Sequence, residues 1–325
     1  MSKTGLIPTI VKNIRLAETQ SAKQEILSKY VNEVQLQRIL NILYNPWIDL
    51  GLKDFQPKYM GKQFGMGMPQ FMHIIDDIIA GSFDQREAEF ACRMAMMHIN
   101  SDDAPVFLGI LHQDLALDLE VDTINQVWPG LIVEYPIRLA GTMNIENFTQ
   151  FPAAVQPLSK GLRVNIIVHE NTVSFRTKTG EVILGWEQYT EQFLNLAQSQ
   201  SIVFDGHAVI ANGSEISGTD NQAVLEADAN TVRFVLWDAV RYDGFIQGKD
   251  TRIGYNWRYN GIEHMMLLAL DKNKEPCYDV LKAEMVGSQQ QLMETIKRYP
   301  AGCVVKSMDG IWQQGETQDE IITKI

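Results

Sequence analysis

The sequence predicts an α+β protein in which a helical domain precedes a mixed domain with antiparallel sheets, and three observations carry this expectation. From Leu6 to about Leu119 apolar residues recur at helical spacing. After Pro129-Gly130 and Pro136 the pattern changes to short β-rich runs divided by Gly, Asn and Asp turns. Those runs do not alternate regularly with helices, which argues for α+β over a doubly wound sheet. A chain of 325 residues has room for two cores, since single cores stop growing near about 250 to 300 residues. The boundary is placed near residue 131, giving domains 1–131 and 132–325.

In the first domain, Ile26-Leu27-Tyr30-Val31 and Leu36-Ile39-Leu40-Leu43 mark helical stripes. Ser21 with Gln24 fits a capping box ahead of a helix ending near Tyr30, and Met68-Pro69 opens another helix reaching Ile79. Met94, Met96 and Met97 lie in the segment from Glu87 to His98, where core packing is the commoner use of such a stripe. In the second domain strands are expected over 164–168, 173–176, 181–184, 202–204, 208–210, 232–237 and 303–306, with helices over 186–199 and 285–299. The loop from Asn212 to Asn221 reads as mobile.

Composition narrows the function. Apolar residues are 45% and charged residues 21%, as in ordinary globular chains, and no apolar run is long enough to span a bilayer. No secretory signal precedes the first helix, so a cytoplasmic location is expected. Cys92, Cys277 and Cys303 form no C-x-x-C pair and the six histidines form no close pair at ligand spacing, so no metal site is expected. The net charge is −12, with 11 Lys and Arg against 16 Asp and Glu over residues 1–130 and 17 against 24 beyond. Neither half looks like a general DNA binder, which needs a cationic surplus to displace counterions.

Four stretches in order carry a resemblance: INQVWPGLI (124–132), RFVLWDAV (233–240), YNWRYNGIEHM (255–265) and MDGIWQ (308–313). Together they make the chain similar to the ATP-dependent DNA ligases of T-even-type bacteriophages. The resemblance implies a helical DNA-binding-like domain followed by a nucleotidyltransferase-like domain. It also implies a terminal OB-fold, which is not expected here because the sequence stops at Ile325.

The same resemblance specifies a catalytic lysine in K-x-D-G-x-R, which attacks the α-phosphate of ATP. Gly161-Leu162-Arg163 matches the end of that motif, so Leu158 stands at the nucleophile's position and Lys160 at the aspartate's. Leucine has no lone pair with which to attack phosphorus. Thr177-Lys178-Thr179-Gly180 resembles S-R-x-G, Asp205-Gly206-His207 resembles D-G-E, and Ala301-Gly302 resembles E-G, with Lys306 retained beyond it. Ile322-Thr323-Lys324 falls at K-x-K, and Glu316 takes a place where arginine is usual. The acidic ligands for a divalent metal are thus largely gone.

Leu158, Lys160, His207, Ala301 and Ile322 are therefore degenerate catalytic positions. Lys160, Arg163, Lys178, Asp205, Arg258, Lys306 and Lys324 remain candidates for holding a nucleotide or another anion. Arg163 and Arg258 fit internal salt bridges equally well, and Trp237 fits core packing.

The first expectation is a catalytically inactive ligase-like protein of a phage-infected cytoplasm. It would bind a protein partner, and weakly nicked or duplex DNA, in replication, repair or assembly, with no cofactor. The alternative is an active subunit using Lys160, with ATP, Mg²⁺ and a separate OB-fold partner: residues i and i+2 of an extended segment share a side, so the nucleophile can shift by two. A virion or assembly role is a third reading.

Overall fold

The computed structural model describes residues 5–57, 66–100, 103–212, 215–270, 272 and 275–323. The chain divides into two units, Met1–Glu134 and Tyr135–Ile325.

Among the described residues the apolar stripes of the first unit become seven helices: α1 Leu6–Leu16, α2 Gln20–Lys29, α3 Val34–Tyr44, α4 Met68–Ile79, α5 Gln85–Met97, α6 Ala104–Leu111 and α7 Val121–Val127. Their inward residues, among them Ile10, Leu27, Ile39, Phe71 and Phe107, form one core. Pro69 sits in the first turn of α4, where its missing N–H is no loss.

The expected cap of α2 is corrected. Thr19, not Ser21, holds the extended backbone a cap needs, and its hydroxyl accepts from the Ala22 N–H at 3.2 Å. Ser21 lies inside the helix and faces solvent. Asp84 and Glu87 form a capping box at the start of α5. The methionines of α5 split, with Met96 buried and Met94 exposed.

INQVWPGLI acquires a local explanation. Asn125 donates to the Ile132 carbonyl at 2.9 Å and accepts from the Ile132 N–H at 3.0 Å. This clasps the turn in which Gly130 takes a left-handed φ of 75°. Trp128 donates to the Val31 carbonyl at 2.8 Å.

The described residues of the second unit form a sheet of five strands and one of six. The five-stranded sheet has the order β1 (Arg138–Gly141), β13 (Gly315–Thr323), β11 (Cys303–Ser307), β2 (Ala153–Pro157) and β10 (Glu284–Val286). All its pairings are antiparallel except β1 with β13. In the other, β4 (Thr172–Thr177), β3 (Leu162–His169), β5 (Ile202–Asn212), β7 (Val232–Arg241) and β9 (Tyr278–Val280) run in that order, with β6 (Glu215–Gly218) beside β5. A two-stranded ribbon joins β8 (Lys249–Gly254) to β12 (Ile311–Gln313). The longer helices are α8 (Thr190–Ala197), α11 (Tyr255–Ala269) and α12 (Gln289–Ile296), with short α9 (Asn221–Glu226) and α10 (Tyr242–Ile246). The mixed, antiparallel-rich architecture agrees with the expected class.

Several expected elements are revised. Residues 202–204 and 208–210 belong to one strand, β5, because Asp205-Gly206-His207 continues the ladder with β3 and β7 instead of turning. Gly206 is needed for close packing there: a Cβ on it would stand 2.5 Å from the Val235 carbonyl oxygen. Residues 181–184 contribute a single bridge, Val182 to Arg176, and no strand. The helix expected over 285–299 shrinks to α12, since residues 284–286 pair with β2 as β10 and Ser288 caps the shortened helix. The helix expected over 186–199 is a 3₁₀ turn, Glu187–Tyr189, running into α8.

Candidate functional site

β3, β5 and β7 of the six-stranded sheet and β1, β11 and β13 of the five-stranded sheet bring charged side chains together within the second unit. Strand alternation explains the set: Arg163 and Asn165 share a face of β3, and Asp205 pairs in register with Asn165 on one side and Asp238 on the other. An apolar sheet face would have packed hydrophobically. This one buries charges, and each must be paired to repay its desolvation.

Arg163 donates to Asp205 through Nε at 3.1 Å and Nη2 at 2.7 Å, and also to the Arg138 carbonyl at 2.8 Å. On β7, Asp238 accepts from Arg258 of α11 at 2.8 and 3.1 Å. Arg258 spends a further nitrogen on the carbonyls of Ile253 and Gly310. Arg138 donates to Glu320 at 2.8 Å and to Asp319 at 2.5 Å, and also contacts the Ile311 carbonyl. Lys306 of β11, only 3% exposed, lies 3.7 Å from the second oxygen of Glu320.

Aromatic rings fill the space between these pairs. The Lys306 ammonium lies 4.9 Å from the Tyr255 ring centroid and 5.8 Å from that of Trp237. Arg163 is also over Trp237, at 5.8 Å, and His207 meets it edge-on at 4.6 Å. The Tyr255 hydroxyl lies 3.0 Å from both Gln156 Oε1 and the Trp237 carbonyl, a donor to acceptors on two strands. Trp237 thus packs, as expected, but it packs against cations.

Burial raises the Asp238 carboxyl, and Arg258, with Lys306 and Arg138 beside it, more than reverses this, leaving it below the ordinary value. The same balance holds for Glu320, lowered by Lys306 and Arg138 against the effect of burial. Burial lowers the Lys306 ammonium, with Glu320 opposing. Burial first and then Arg163 push His207 down to about 4, so its ring is neutral near pH 7. Its Nδ1 lies 3.0 Å from Ser159 Oγ.

The structure gathers Arg163, Asp205, His207, Arg258 and Lys306 of the expected site residues into this layer. Of the others, those that are described lie outside it. Lys160 is exposed in the segment between β2 and β3, and Lys178 is exposed just beyond β4. Leu158 is half-buried, its N–H bound to the Gly302 carbonyl at 3.1 Å. Gly161, with φ 139°, brings the chain so close to β5 that a Cβ would stand 2.6 Å from the Ala208 carbonyl oxygen. Ala301 is exposed, Ile322 is 44% exposed on β13, and Lys324 lies outside the described residues. Sequence reasoning missed Arg138, Asp319 and Glu320 as members of the layer. Adjacent acids running into Ile321-Ile322 were their available signal, since a carboxylate inside an apolar strand calls for a buried cation.

Among the described residues, no cluster of three or more His, Cys, Asp or Glu is placed to hold a metal ion. No described helix is long and apolar enough to cross a membrane. Cys92, Cys277 and Cys303 are free and buried.

No family model matches the sequence. The DNA ligase of Enterobacteria phage T6 is 21% identical over 373 aligned residues, which cover 97% of this chain and 74% of that ligase. The DNA ligase of Enterobacteria phage T4 is 21% identical over 378, with the same coverage of 97% and 74%. Among solved structures, one described as Pmar-Lig_PreS3 aligns with a TM-score of 0.55 and 17% identity, covering 98% of this chain and 78% of that one. At that identity the structural likeness speaks for the fold alone.

Proposed function

We infer that this distant homologue of the phage DNA ligases has lost nucleotidyl transfer and acts by binding. One observation carries the reading: the charged groups of this layer are consumed by one another, within each sheet or between β7 and α11. Asp205 holds Arg163, Asp238 holds Arg258, and Glu320 holds both Lys306 and Arg138. A nucleotide triphosphate needs uncommitted cations and, through its metal, uncommitted carboxylates.

The residues do not fit ATP in a second respect. Leu158 stands at the register of the attacking amine, and His207, neutral near pH 7, stands where a carboxylate would meet the ribose and metal. The partner proposed is a protein of phage replication, repair or assembly in the cytoplasm of the infected bacterium. Nicked or duplex DNA is a weaker partner, disfavoured by the charge of −12.

The test is incubation with α-labelled ATP and Mg²⁺ followed by denaturing electrophoresis. No labelled band is expected. A band that disappears in Lys160→Ala would establish an active subunit with a displaced nucleophile and overturn the reading. Titration of nicked duplex against salt separates the partners, since weak binding without a steep salt slope favours the protein.

A further inference from the structure

Lys306 and Arg138 are two cations in one buried layer, 3% and 5% exposed, on strands that flank β13 on either side. Glu320 projects from β13 between them. One of its oxygens takes the Arg138 Nε–H at 2.8 Å and the other faces Lys306 Nζ at 3.7 Å. Arg138 has a second carboxylate in Asp319, whereas Glu320 is the one carboxylate within ion-pair distance of Lys306 among the described residues. Around the ammonium stand the Tyr255 and Trp237 rings, which tolerate a cation but supply no formal charge.

We propose that Glu320 is the resident anion of this site: its carboxylate occupies the position between Lys306 and Arg138 that an external oxyanion would take, and so keeps the site closed. The inference rests on the binding-only reading above and says how the exclusion is built. A carboxylate and a phosphate present similar oxygens to a lysine and an arginine fork, so one can substitute for the other. The tethered one has the advantage, because its strand holds it in place through the ladders to β1 and β11. Truncating Glu320 to alanine removes this anion and leaves space beside Lys306, with Asp319 still pairing Arg138. The opened site takes a phosphate-class oxyanion.

Thermal unfolding of the full chain at fixed ionic strength tests this, with inorganic pyrophosphate as the probe and chloride as the control. Wild type is expected to show no specific shift. Glu320→Ala is expected to start lower and to be raised by pyrophosphate, with affinity about tenfold or more above wild type. Adding Lys306→Met to Glu320→Ala is expected to abolish the response. If Glu320→Ala fails to fold, Glu320→Ser, which also clears the carboxylate from between the two cations, is read in the same way by calorimetric titration.

Wild type binding pyrophosphate as tightly as the Glu320 variants would overturn the proposal, because the carboxylate would then exclude nothing. A folded Glu320→Ala or Glu320→Ser indifferent to pyrophosphate would overturn it too. Covalent labelling by ATP is scored separately on the gel, so loss of the binding-only reading is distinguishable from loss of this one.

Discussion

Arg258 and Asp238 form a two-pronged ion pair at 2.8 and 3.1 Å in which neither side chain is more than 4% exposed. Arg258 also satisfies the carbonyls of Ile253 and Gly310, so one guanidinium ties β7, the end of β8 and the turn before β12. Arg258→Met is expected to cost about 3 to 5 kcal/mol in denaturant unfolding, because Asp238 is left charged and buried. Arg258→Met with Asp238→Leu should recover part of that loss. Strict additivity of the two single losses would contradict direct coupling.

His207 makes stability depend on pH in a defined window. Its folded value is about 4 against 6.5 for the free side chain. Between those values the unfolded chain takes up a proton that the folded chain refuses, so its stabilising contribution is complete above pH 6.5 and drains away as pH falls toward 4. The loss should approach roughly 3 kcal/mol. The neighbouring charge is Arg163, which remains cationic throughout this range. His207→Gln should flatten this part of the stability curve, and identical slopes for variant and wild type would refute the assignment.

Thr19 and Ser21 compete for the cap of α2, and the backbone chooses Thr19. Thr19→Ala should lower the stability of the first unit by about 1 kcal/mol, while Ser21→Ala should stay within about 0.5 kcal/mol. The reverse ranking by urea unfolding would restore the cap expected from the sequence.

Gly206 fits β5 against β7 with no room for a methyl group. Gly206→Ala should destabilise the second unit by about 1 to 3 kcal/mol through forced separation of the strands. A neutral result would show that the bulge between Asp205 and Gly206 can absorb the methyl group.

Residues whose role is set by neighbours in sequence were legible from the sequence. The stripes of α3 and α4 and the strand around Val164 follow from short periods of apolar residues, and the structure has them. Residues whose role depends on partners far along the chain were not. Asp205-Gly206-His207 looks like a turn to local rules, yet ladders on both sides keep it extended. Glu320 escapes local rules because its meaning comes from Arg138, 182 positions away. Arg163 and Arg258 were recognisable as anion holders, but the anions proved to be aspartates of the same unit.

β1 and β13 pair side by side although almost the whole second unit separates them in sequence. For a chain leaving the ribosome, the earliest strand of that unit therefore waits for the latest one, and neither Arg138 nor Lys306 meets its carboxylate until residues 319 and 320 have emerged. Closing so long a loop is slow. During synthesis the nascent second unit carries two cations without their counter-charges, and the interval in which cellular polyanions can reach them ends when β13 is seated.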